Sequence, residues 1–173
     1  MASYYYLISS LPMLRTQGEP PMDYAAFLAM CRSAVSAGVY RTLEDLTVDS
    51  DKGPLLSEWA GFYKALCREL TYQRNVKLGR PCAVPSDRDA GIVQTVTAAV
   101  NAENPLEGER LLRDLEFRRL DGMIGLHNFD DHALYGYAMK LQLLERQRTF
   151  RYESGKRAFD GLMQNIRQQV SSL

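Results

Sequence analysis

The residue types best suited to chemistry in this chain lie in one short stretch, LHNFDDH, which holds His127, Asp130, Asp131 and His132. Imidazole nitrogens and carboxylate oxygens this close together are a donor set for a divalent metal. His127 and His132 are also the only two histidines, so a catalytic imidazole would have to be one of them. A simpler use competes with both. An aspartate just ahead of an apolar run caps a helix, because its oxygen accepts the first free N–H groups and its charge suits the helix dipole. The sequence therefore leads us to expect a cap at Asp130 or Asp131, with no metal and no cofactor.

Two further groups are suited to binding rather than to reaction. Arg146, Arg148, Arg151, Lys156 and Arg157 form a basic strip interleaved with Phe150 and Tyr152. Arginine and aromatic side chains are enriched where protein partners grip, which makes Arg146, Arg148, Arg151, Tyr152, Lys156 and Arg157 the candidate partner contacts. The same cations would also complement the C-terminal end of a helix. The second group is the triplet Tyr4, Tyr5 and Tyr6, expected to divide between core and surface with wet hydroxyls. No GxxxxGK[ST] loop, GxGxxG turn, GxSxG elbow, HExxH helix or EF-hand loop is present. No catalytic residue is assigned, and the chain is not expected to be an enzyme.

Charge bears on the partner class. Lys and Arg number 21 and Asp and Glu number 21, a formal net charge of zero. A nucleic-acid binder draws most of its affinity from a basic excess that displaces counterions, so that class loses weight and no nucleic-acid partner is expected. The charges do come in blocks: residues 61–80 carry five bases against one acid, and residues 101–130 seven acids against four bases. Blocks of both signs suit protein partners or, more plainly, solvated helix faces. Cys31, Cys67 and Cys82 are an odd number with no CxxC pairing, which argues against a disulfide framework or a zinc finger. Cys31 and Cys67 fall on apolar faces and are expected to be buried. The N-terminal apolar patch has no basic residues before it, so no signal peptide is expected. No stretch approaches ~20 uninterrupted apolar residues, so no membrane insertion is expected. The expected location is cytoplasmic, peripheral to the inner membrane only through partners.

The elements that position these groups read as helices. The run Tyr4 to Ile8 is either a short extended segment or a first helical piece halted before Pro12. Tyr24, Phe27, Leu28, Cys31 and Val35 repeat along one helical face, with Gly38 as the expected C-cap. A short helical piece follows at 41–46. Residues 55–77 form a long helix whose stripe is Leu56, Trp59, Tyr63, Leu66 and Leu70, with Glu58, Lys64, Arg68 and Glu69 outside it. Ser86 is expected to open the next helix, with Asp89 completing a capping box. Its β-branched Ile92, Val93, Val96 and Val100 are spaced for a helix rather than a strand. Asn104-Pro105 opens another helix, residues 121–129 form a loop, and Asp130 or Asp131 caps a helix, apolar on most sides, that runs to about Phe150. A last helix, about 154–170, carries Phe159, Leu162, Met163, Ile166 and Val170. The fold class is all-α: one domain, 1–173, built as an irregular bundle of six or seven helices. At this length roughly 70% of the unfolded chain's surface can be buried.

Two stretches carry a family resemblance. YYYLISSLPML, residues 4–14, resembles the opening of a bacterial family classed as a domain of unknown function, whose members are encoded beside genes for V/A-type ATPase subunits. The stretch from Phe129 to Ile166 is similar to the final helices of the C-type socket protein of those ATPases, which joins the rotating central stalk to the membrane ring. There a loop precedes a helix with a Tyr-x-x-Lys-Leu-like pattern, here Tyr137, Lys140 and Leu141. The resemblance implies packed helices and a non-catalytic structural, coupling or accessory role, with ATPase stalk or ring subunits as partners. It brings no catalytic residues. The chain departs from the socket protein in being much shorter than its three helical lobes. Without the resemblance, a helical adaptor or chaperone-like module is the alternative.

Overall fold

The computed structural model describes residues 4–148, 155–156 and 159–164. Seven helices follow one another: α1 Tyr5–Ser10, α2 Tyr24–Cys31, α3 Ala37–Glu44, α4 Pro54–Lys77, α5 Ala90–Asn101, α6 Pro105–Ile124 and α7 Asp131–Arg148. Residues 155–156 and 159–164 are helical as well, and no strand occurs among the described residues. The all-α expectation holds.

The N-terminal segment takes the helical of its two expected conformations. α1 stops at Ser10, and Leu11 is extended (φ −72°, ψ 134°), as a residue preceding proline is driven to be. Two helix ends differ from their sequence signals because a side-chain cap forms at another residue than the one the sequence suggested. The face read through Val35 breaks after Cys31, and Ser36 starts α3 by accepting from the Val39 amide. Gly38 is therefore in the first turn of α3 and not a C-cap. Asp89, expected inside a capping box, is itself the N-cap of α5, accepting from the Gly91 and Ile92 amides at 2.8 and 3.1 Å. At α6 the Asn104-Pro105 signal holds, with Asn104 Oδ1 accepting from the Leu106 amide at 2.9 Å. The helix overruns the loop expected at 121–129 as far as Ile124, and Gly125 closes it at φ 54°, a conformation that a Cβ would strain.

α7 lies in the middle of the bundle, packed against α2, α3, α4 and α6. Leu134, Ala138, Met139, Leu141, Leu143 and Leu144 are all buried, so the helix has little polar face to present, as its composition requires. α5 rests on α4 and α6 at the outside. The α5–α6 approach is close: a Cβ at Gly108 would stand 2.6 Å from the Ala99 carbonyl oxygen. At the α6–α7 junction, a Cβ at Gly136 would meet the Ile124 side chain at 2.3 Å. Both contacts exist because these two positions lack a side chain.

Connections are pinned by single polar bonds to their carbonyls. The Trp59 indole donates to Val48 O (2.9 Å) and the Tyr24 hydroxyl to Leu43 O (2.7 Å). Tyr137 on α7 donates to Pro12 O (3.0 Å) and Arg113 on α6 to Thr16 O (2.7 Å). Residues 11–22, which have no regular structure, are thus fixed along the bundle by two helices. Each of these bonds satisfies a backbone carbonyl that would otherwise be costly to cover.

Candidate partner-binding surfaces

The tyrosine triplet divides as expected. Tyr4 is buried, whereas Tyr5 and Tyr6 are 54% and 88% exposed. α1 is held in place because the Tyr4 amide donates to Phe129 O at 2.8 Å. That bond sets the α1 N-terminus against the loop between α6 and α7. There the Tyr5 ring packs on Phe129 with centroids 4.8 Å apart, and Tyr6 meets Tyr5 edge-on at 5.6 Å. Leu126, in the same loop, is 95% exposed. Two short elements far apart in sequence therefore build one aromatic surface at this end of the bundle. Its hydroxyls leave it tolerant of water while its ring faces are available to a partner.

The LHNFDDH stretch closes into a compact group beside this surface. Asp130 is the cap: its Oδ1 accepts from the Ala133 amide at 3.2 Å, while Oδ2 pairs with His127 Nδ1. Burial pushes the Asp130 carboxyl up, but the His127 bond and the Ala133 amide outweigh it and hold its pKa below the usual carboxylate value. His132 stacks on His127, rings nearly parallel. Asp131 serves elsewhere, next to Tyr4, whose hydroxyl is pushed up to about 12 by burial and by this carboxylate. One Asp131 oxygen is buried with no hydrogen-bond partner among the described residues.

The basic strip is only partly in view. Arg151, Tyr152 and Arg157 lie outside the described residues, as does Phe150. Arg148 ends α7 and Lys156 is exposed. Arg146 has a structural partner: its guanidinium donates to both oxygens of Glu116 at 3.0 and 3.2 Å. Glu116 is 1% exposed, and burial pushes its carboxyl above the usual glutamate value, with Arg146 opposing. Beside the pair is a cavity of about 350 Å³, lined by Arg110, Arg113, Glu109 and Leu143 among others.

No family model, curated protein or solved structure matches the chain.

Other features of the surface differ from their sequence signals. Cys31 is buried, and burial pushes its thiol up to about 11, but Cys67 is exposed, since its position on α4 lies just past the edge of the apolar stripe. Glu69, placed outside that stripe by its charge, is 3% exposed. Arg88 explains it, donating through Nε and a terminal nitrogen at 2.9 and 2.6 Å, with the Gln73 amide adding a third bond at 2.9 Å. The Glu69–Arg88 and Glu116–Arg146 pairs carry no local sequence signal, because their partners are 19 and 30 residues apart. Phe159 and Leu162, expected as core of the last helix, are 61% and 59% exposed. Ile166 and Val170 lie outside the described residues.

Proposed function

We propose that this protein is a non-catalytic structural, coupling or accessory component of a V/A-type rotary ATPase, similar in role to the C-type socket protein. In this reading it docks on soluble stalk or ring subunits through the aromatic surface around α1. One observation carries the reading. Among the described residues, six of the eleven large apolar side chains left exposed lie in the two stretches that bear the family resemblance, the other five being Val76, Leu78, Val84, Leu106 and Leu126. Tyr5, Tyr6 and Met13 belong to residues 4–14, and Phe129, Phe159 and Leu162 to residues 129–166. Of these, Tyr5, Tyr6 and Phe129 touch one another, and such an uncovered aromatic patch is what a protein partner can cover. A socket that transmits torque also needs a body that does not yield. The buried ion pairs at Glu69 and Glu116 and the pinned connections supply that stiffness. No helix among the described residues is long and apolar enough to cross a membrane, so contact with the membrane ring would run through its soluble subunits.

The test is recovery of the tagged protein from its native host in mild detergent, with mass spectrometry of what comes with it. Stalk and ring subunits in a fixed ratio would support a stable component, and sub-stoichiometric ATPase an assembly factor. Recovery of other clients with no ATPase would overturn the proposal in favour of a helical adaptor.

A further inference from the structure

The cluster at the start of α7 is not used by the docking surface, and its donors are arranged for a ligand. His127 and His132 are five residues apart, yet the turn before α7 folds one ring over the other, with centroids 4.3 Å apart and planes 13° from parallel. One ring nitrogen from each and a carboxylate oxygen of Asp130 all lie within 4.8 Å of one another. Asp130 is already immobilised, since capping the Ala133 amide fixes its Oδ1 and leaves Oδ2 facing His127. His132 makes no hydrogen bond among the described residues and its ring contact is the stack, so its nitrogens are available. Capping accounts for Asp130. It gives no reason for two imidazoles to converge on the same carboxylate.

The chemistry of the donors narrows the ligand. Two imidazole nitrogens and one carboxylate oxygen suit zinc-class cations, whereas magnesium and calcium take oxygen donors. Zinc bonded at about 2.0–2.1 Å in a tetrahedron sets its donors about 3.3 Å apart. Binding would draw the three groups in from their present spacing, within 4.8 Å of one another, and replace the His127–Asp130 bond by a shared cation. The site opens to solvent on the His127 side, where 41% of the side chain is exposed, and water can take the remaining position. We propose that His127, Asp130 and His132 bind one divalent d-block cation of the zinc class, which staples the α6–α7 loop to the first turn of α7. Asp131, turned to Tyr4, is not among the ligands.

The experiment uses the full chain carrying Cys67→Ser and Cys82→Ser, so that the exposed cysteine sulfurs do not compete for metal. After chelator treatment it is titrated with Co²⁺, read by its d–d absorption, and then with Zn²⁺ in competition. One equivalent of Co²⁺ displaced by Zn²⁺ is expected, and affinity should fall at least about 10-fold for His127→Ala and for His132→Ala. Asp130→Asn is the sharper variant. Asparagine caps as well as aspartate, so the thermal midpoint should hold while affinity falls by a similar factor. This arm decides even where a histidine variant fails to fold. Absence of saturable Co²⁺ uptake, or uptake unchanged in Asp130→Asn, would overturn the site. None of these readouts requires an ATPase partner, so this inference and the proposed function fail separately.

Discussion

Arg146 and Glu116 show how a side chain chosen for its surface chemistry can be committed to the interior. Glu116 has 2% of its side chain exposed and Arg146 32%, so the carboxylate depends on that guanidinium. Arg146→Met would leave a buried charge unpaired, which costs about 3 kcal/mol, read as a lower urea midpoint. Glu116→Met added to it removes the orphaned charge and should recover most of the loss, since a buried pair exchanged for apolar groups is often neutral. If the double variant were as unstable as the single one, packing of the arginine stem and not the pair would be at issue. Glu69 gives a pH prediction. Its bonds from Arg88, ahead of burial which opposes them, hold its pKa below the ordinary 4.5. A carboxyl with a depressed folded pKa contributes stability that is present above the unfolded value and lost as pH falls from there through the folded one. Glu116 acts in the opposite sense, because its raised pKa lets the native state take a proton first. The difference in unfolding free energy between the wild type and Glu69→Gln should therefore be constant above about pH 6 and shrink below about pH 4.5. A difference that stayed flat into acid would mean that the Arg88 bonds do not depress the pKa.

At the scale of elements, the approach of α5 to α6 rests on one missing methyl group. Gly108→Ala would add helix propensity worth up to about 1 kcal/mol, yet its Cβ would meet the Ala99 carbonyl at 2.6 Å. Backbone cannot rotate out of the way as a side chain can, so the helices must separate. Net destabilisation of about 1–3 kcal/mol is expected in chemical denaturation, while Gly61→Ala, whose Cβ meets nothing within 4 Å, should be neutral or stabilising. A stable Gly108→Ala would show that α5 slides freely on α6. The same elements show what the sequence could reveal. Helix α4 was legible from its apolar stripe, α6 from its Asn104-Pro105 start and α7 from its aspartate cap and long apolar composition. The end of α2 and the start of α5 were not, because caps competing within a few residues, Ser36 with Gly38 and Asp89 with Ser86, look alike in sequence. A helical cap at one of Asp130 and Asp131 was legible from LHNFDDH, whereas which of them caps, and the stacking of His127 on His132, depend on how the loop turns. Exposure at Tyr5 and Tyr6 was legible only as a division of the triplet. Which tyrosine goes inward depends on the bond from the Tyr4 amide to Phe129, a partner far along the chain.

For the whole molecule, the question is which of two surfaces meets a partner, and salt separates them. The aromatic surface of Tyr5, Tyr6 and Phe129 draws on apolar burial, which does not weaken with ionic strength. Contacts through exposed cations such as Lys156 are screened within a Debye length of about 8 Å at physiological salt and about 3 Å at 1 M. With formal net charge zero, the molecule has no net-charge attraction that would draw partners of either sign. If α1 docks, the partners recovered with the wild type should survive a wash at about 1 M salt. Tyr5→Ser with Tyr6→Ser should lower their recovery about 10-fold, the loss expected when contacts worth roughly 1.4 kcal/mol are removed. Stability serves as the control. Both rings are exposed, so the double variant should unfold within about 0.5 kcal/mol of wild type, whereas Leu7→Ala, on the buried side of the same helix, should destabilise by about 2 kcal/mol or more. Partners retained by the tyrosine variant but released by salt would move the interface to the basic strip, of which Lys156 is an exposed member among the described residues. Partners retained under both treatments would exclude α1 and the strip together, and leave Phe159 and Leu162 as the surface to change next.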